Sequence, residues 1–221
     1  MPTDTSVATS AEARRRYWST LGRVDSDVLG QLIASQFIPG MPAWPSGREV
    51  YLVVHRKDTV ILATDGLSDP DDGEFRDCNG HGVELFIEVP TKDLATPSNS
   101  PYFHLLTQVA RNVAYGGGIV EPWRKYQLLS MELPADTEIA PRLVNSEGHH
   151  ILLLGMPRFD CMPPIDGMPL SETKAMAVTI VHPDDFAKVA REGGQGRLRL
   201  ASALEKNGHG HVSDFARQPV L

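Results

Sequence analysis

Only two cysteines, Cys78 and Cys161, occur in 221 residues. That is too few for a disulfide framework, so both thiols are expected to be free and ordinary. No run of residues is long and apolar enough to span a bilayer. The opening stretch MPTDTSVATSAEARRRYW has no apolar segment after its charges, which excludes a secretory leader and makes the cytoplasm the expected location. Positive charge is scarce: 21 Lys and Arg face 28 Asp and Glu, a net charge of −7. A nucleic acid or a membrane surface is thereby excluded as the main partner, whereas a basic protein remains open. Aromatic residues make up only 7%, but hydrophobic residues reach 41%, enough for a sizeable core.

Signatures of chemistry are also missing. A Ca²⁺ loop needs alternating carboxylates, then Gly, then a distal Glu. Asp69 and Asp71 alternate, but Gly73 comes one place early and Gly80 stands where the distal Glu belongs. Structural zinc needs two close ligand pairs. Cys78 and His81 form one loose pair, with Cys161, His149 and His150 elsewhere. His209-Gly210-His211 reads as a polar turn. A phosphate cradle follows a strand and opens a helix, whereas Gly116-Gly117-Gly118 follows a predicted helix. No Gly-x-Ser-x-Gly elbow occurs. No catalytic, cofactor-binding or metal-binding residue is assigned. The alternative is a hydrolase or other enzyme with a scattered site, drawn from His55, His104, Glu84, Asp160 and the two cysteines. A scaffold subunit of a homo-oligomer is a third class, and the oligomeric state stays open.

What is present is periodicity. Glu12 to Leu21 reads as a short helix with Arg14, Arg15 and Arg16 on its solvated face. A second helix is predicted after the capping residues Asp25 or Ser26, with Val28, Leu29, Leu32, Ile33 and Phe37 at helical spacing, ended by the Pro-rich stretch from Pro39 to Gly47. Val50 to His55 and Thr59 to Ala63 read as a hairpin. Gly82 to Val89 alternates, with Val83, Leu85, Ile87 and Val89 opposite Glu84, Phe86 and Glu88. Pro101 to Tyr115 carries an amphipathic stripe of Phe103, Leu106, Val109, Ala110 and Val113. Gln127 to Leu133, Ile151 to Gly155 and Met176 to Val181 read as strands. Helices follow from Pro183 to about Arg191 and from Leu198 to Lys206. Blocks of strands with few helices between them predict α+β: a single domain with a mixed, mainly antiparallel sheet flanked by helices. Residues 1–10 are expected to form a disordered tail and 11–47 a helical segment of that same domain.

The stretch TVILATDGLSDPDDGEF ends an apolar strand in carboxylates. Asp-Pro and Asp-Gly steps are strong turn formers, and a solvated turn is the simplest reading. ILATDGLSDP followed by GVELFIEVP also resembles the suppressor-of-fused domain family, in which a strand ends in a Gly-(Leu/Met)-Ser-Asp turn and a Val-Glu-Leu strand closes on Pro. YQLLSMELP, HHILLLGMP and VTIVHPDDF follow in the family's order, and the resemblance covers about Arg48 to Asp214 within a domain taken as 48–221. It implies that Asp65, Gly66, Leu67, Ser68 and Asp69 form a structural chain reversal. Gly66 would supply the backbone angle, and Ser68 and Asp69 would bond neighbouring backbone groups. Asp71, Asp72 and Glu74 would lie on the surface beyond it, facing a partner. The family implies a protein-binding module without catalysis or cofactor. The acidic balance of a stand-alone chain points toward its bacterial relatives: immunity proteins that neutralise a toxin, here a basic one.

Overall fold

The computed structural model describes residues 4–30, 44–135 and 143–221. Helix α1 (Asp4–Leu21) begins eight residues before the predicted start at Glu12, so residues 4–10, expected to lie in the tail, form its first turns. Strands β1 (Arg23–Val24) and β2 (Leu29–Gly30) follow. The predicted helix after Asp25 is therefore corrected at its start: Leu29 and Gly30 pair antiparallel with Tyr51 and Val50. A neighbouring strand with open backbone groups outweighed a helical spacing that short. The rest of that predicted helix, with Leu32, Ile33 and Phe37, lies outside the described residues, as does Pro39 to Ala43.

Strands β3 (Val50–His55) and β4 (Thr59–Thr64) form the predicted hairpin, closed by Arg56 N–H donating to Thr59 O at 2.9 Å. Strand β5 (Val83–Pro90) pairs antiparallel with β4 and parallel with β8 (Lys174–Val181). Strands β7 (His149–Leu154) and β6 (Leu129–Pro134) complete a sheet of order β1-β3-β4-β5-β8-β7-β6, with β2 also on β3. One parallel pair among antiparallel ones makes the sheet mixed, and helices on both faces make the fold α+β, as the strand pattern predicted.

Helix α2 (Pro101–Tyr115) starts where Pro101 occupies the first turn and the Ser100 hydroxyl accepts from Phe103 N–H at 3.1 Å. Its whole predicted stripe is buried, and Phe103 meets the Tyr51 ring edge-on at 4.9 Å. On the opposite face, Trp18 of α1 stacks edge-on against Phe86 of β5 at 5.5 Å. Both faces of β5 are thus covered, and Glu84 and Glu88 are buried with Phe86. Helices α4 (Pro183–Val189) and α5 (Gly193–Lys206) cover the far end of the sheet, where Val189, Leu200 and Leu204 join Ile151, Leu153 and Val181. A helix that the patterning missed, α3 (Val120–Tyr126), buries Trp123 against Phe159, with ring centroids 5.0 Å apart. No described helix is long and apolar enough to cross a membrane.

Candidate functional site

The reversal after β4 sits on a buried ionic cluster. Asp65 and Asp69 are buried, which corrects the solvated-turn reading for these two residues. Arg14, expected on a solvated face, is fully buried and stands at the centre. Its Nε donates to Asp65 Oδ1 at 2.6 Å and its Nη1 to Ser68 Oγ at 3.3 Å. Its Nη2 lies 2.7 Å from Asp69 Oδ1, an ion contact outside hydrogen-bond alignment. Arg48 reaches the other oxygen of Asp65 at 3.0 Å, and the Ser46 hydroxyl donates to Asp69 at 2.7 Å. Glu84 enters from β5, with Oε1 accepting from Ser68 N–H at 3.0 Å, Ser68 Oγ at 2.6 Å and Gly66 N–H at 3.2 Å.

The charges in this cluster act on one another. Burial raises the Glu84 pKa above the usual carboxylate range, Asp65 adds to the rise and Arg14 opposes it. Burial also works against the Arg14 cation, but Glu84, Asp65 and Asp69 outweigh it and raise the guanidinium pKa. Glu84 Oε1 also lies 3.4 Å from Arg14 Nε, so three carboxylates surround that guanidinium and Arg48 reaches one of them. Glu84 Oε2 accepts from the Thr64 hydroxyl in a close contact. Gly66 is required here by proximity as well as by its φ of +155°: an added Cβ would meet Arg48 O at 2.5 Å.

Four positions along β5 lies a second buried carboxylate. Glu88 accepts from Arg56 Nη1 at 2.8 and 3.0 Å, from Thr59 Oγ1, and contacts His211 Nε2 at 2.8 Å. Burial pushes its pKa up, but the bonds from His211 and Thr59 and the Arg56 charge hold it below the ordinary range. His211 is therefore no simple polar turn; it pins the C-terminal segment under the sheet.

Beyond the reversal, Asp72 and Glu74 are exposed and Asp71 is half-buried. Asp71 Oδ1 accepts from Gly73 N–H and Phe75 N–H, both at 2.8 Å, which shapes the loop. The loop base is clamped. His81 N–H donates to Leu67 O at 2.9 Å, and buried Asn79 Oδ1 accepts from Leu170 N–H at 2.8 Å and Ser171 N–H at 3.1 Å. Between this loop and the Gly116–Pro122 segment runs a cleft of about 390 Å³. His81 is nine-tenths buried in its wall, stacked edge-on with Phe75 at 4.8 Å, and burial lowers its pKa. Burial likewise raises the Cys78 thiol pKa, with Asp71, Asp77 and Glu74 adding to it.

The residues of the enzyme alternative do not converge. Among the described residues His55 pairs with Asp25 at 3.0 Å, Cys78 Sγ contacts Gly80 O at 3.8 Å, and Cys161 and Asp160 are exposed. None of His55, His104, Glu84, Asp160, Cys78 and Cys161 bonds another. Nor do Cys78 and His81 join a ligand group. The one set of potential metal ligands that converges among the described residues is Glu132, Glu147 and His149 at the β6–β7 end.

Arg14 was missed although a signal existed: Ser10, Ala13, Arg14, Tyr17 and Trp18 follow helical spacing, which puts Arg14 in the apolar stripe. Glu84 and Glu88 share the Phe86 face, so any cover over Phe86 buries them too.

No protein-family model matches the chain, and no curated protein matches it in sequence. Among solved structures it is similar to a chain of the Sufu–Fu complex crystal structure, with 13% identity and a TM-score of 0.59 over 97% of this chain and 92% of that one. It is also similar to Drosophila Suppressor of Fused, with 16% identity and a TM-score of 0.59 over 95% of this chain, which spans 50% of the Drosophila chain. The Asp65–Asp69 reversal, the buried glutamates of β5 and the mixed sheet around them thus stand in a chain that has the fold of the Suppressor of Fused structures.

Proposed function

We propose that the chain is a protein-binding module without catalysis, and that it acts in the cytoplasm as an immunity- or antitoxin-like protein neutralising a basic partner. The observation that carries this reading is the acidic loop. Asp71, Asp72, Glu74 and Asp77 stand against a single Arg76, on a base clamped by buried bonds. Asp65 to Asp69 serve as its structural footing. The buried carboxylates are already engaged: Glu84 and Glu88 are held by guanidinium, hydroxyl and imidazole groups. Exposed like charges on a firm base accelerate encounter with a basic partner and orient it. The fold shared with a chain of the Sufu–Fu complex adds support by analogy.

The test is affinity capture with the full chain in its native cells, followed by reconstitution with the captured protein. The expected result is a stoichiometric complex with a basic protein, an association rate that falls with salt, and loss of the partner's toxicity or activity. Failure to retain any protein, or a hydrolytic turnover abolished by one substitution in this chain, would overturn the proposal.

A further inference from the structure

We propose that Glu132, Glu147 and His149, at the β6–β7 turn, form a binding site for one zinc ion. The site stands on the edge strand of the sheet, with β5, β8 and β7 between it and β4. It is therefore separate from the acidic loop that carries the protein-binding reading.

Strand register brings the residues together. Glu132 pairs with Ile151 and Pro134 with His149, so Glu132 and His149 are diagonal neighbours on one face of the sheet. The turn then folds Glu147 back toward them. Asn145 Oδ1 accepts from Glu147 N–H at 3.0 Å and from His149 N–H at 2.9 Å. Asn145 Nδ2 donates to Glu132 Oε2 at 3.0 Å and so orients that carboxylate. One ligand atom from each of the three residues lies within 4.8 Å of the other two. Two carboxylates at that range repel, and among the described residues no lysine or arginine pairs with either. His149 Nδ1 faces Glu132 Oε2 at 3.9 Å, too far for a hydrogen bond, and has no other partner. A tetrahedral ion at about 2.1 Å from each donor sets the donors about 3.4 Å apart. The observed spacing reaches that value by small rotations of side chains that are free to make them. Both glutamates are exposed, and the His149 side chain is 33% exposed, so a turn about its soft χ2 presents either ring nitrogen. Calcium and magnesium take about six or more oxygen ligands. One imidazole with two carboxylates is instead a borderline donor set, which suits zinc and leaves a fourth position to water. Glu132 sits on the partner strand, so no close pair of ligands in the sequence announces the site.

The probe is zinc chloride, titrated calorimetrically into the full, metal-stripped chain, while NMR follows the ring nitrogens of its eight histidines. One ion per chain is expected, with a Kd below about 100 μM and the large ring-nitrogen shift confined to His149. Glu132→Gln, Glu147→Gln and His149→Gln change exposed or half-exposed positions, so the fold should survive. Each should weaken zinc by at least about tenfold, since even residues that only orient a ligand cost that much. Calcium chloride in about tenfold excess should leave zinc in place. The wild-type ring shifts decide the assignment even where a variant fails to fold. Binding weaker than that limit, the main shift at another histidine, one ion shared by two chains, unchanged affinity in His149→Gln, or displacement by calcium would each overturn it. None of these outcomes bears on the protein-binding reading, whose test lies in the captured partner.

Discussion

Arg14→Met replaces the guanidinium at the centre of the buried cluster by an apolar chain of similar length. The helix should survive, since methionine is a good helix former. Asp69 then keeps only the Ser46 hydroxyl, and Asp65 keeps the half-exposed Arg48. Removing one partner of a buried pair typically costs about 3–5 kcal/mol, because the remaining charge is uncompensated. Two carboxylates depend on Arg14, so the upper part of that range is expected, against a total stability on the order of 5–15 kcal/mol for a domain. The assay is urea denaturation of wild type, Arg14→Met and Arg15→Ala side by side. Arg15→Ala, on the exposed face, should stay within about 0.5 kcal/mol. Acidification supplies the internal control. Protonating the orphaned carboxylates relieves the variant, so the gap to wild type should narrow as the pH falls toward 4. An Arg14→Met variant within about 1 kcal/mol of wild type at neutral pH, or a gap independent of pH, would refute the claim that uncompensated charge drives the loss.

Three further outcomes are expected. Gly66→Val should lower the unfolding free energy by about 1–3 kcal/mol through backbone strain, with a further overlap term from the carbonyl of Arg48, read as a lower urea midpoint; a wild-type midpoint would remove the structural role of the reversal. Glu88 has a depressed pKa in the fold, so its contribution is full above the unfolded-state value near about 4.3 and is lost as the pH falls through the lower folded value; Glu88→Gln should flatten that limb of the stability–pH curve, and an unchanged limb would contradict the assignment. The Asp71→Asn, Asp72→Asn, Glu74→Gln triple variant keeps the Oδ1 acceptor that shapes the loop and should shift stability by only about 0.5 kcal/mol, which thermal denaturation checks; a large loss would make these acids part of the fold rather than of a docking surface.

The sheet and its helices could be read from local pattern because each signal is local. Alternation marks β5 over eight residues, and a capping serine, a proline and a 3.6-residue stripe mark α2. Where the pattern was short, it misled: Val28 and Leu29 fit a helix stripe, yet Leu29 completes β3 instead. Helix α3, only seven residues long, was hidden because its one deeply buried side chain, Trp123, sets no period.

Composition and pattern by themselves determined the class of fold, the acidic character and the position of the carboxylate-rich reversal. Tertiary structure alone decided which charges are surface and which are core. Arg14 and Asp65 are 51 positions apart in the chain, and Glu88 and His211 are 123 apart. No local period connects such pairs. Helical spacing turns Arg14 inward and its neighbour Arg15 outward, but only the folded chain places Asp65 and Asp69 against Arg14. A charge stripped of water must find its counter-charge in the fold, and only the assembled sheet with α1 and the C-terminal segment beneath it supplies one.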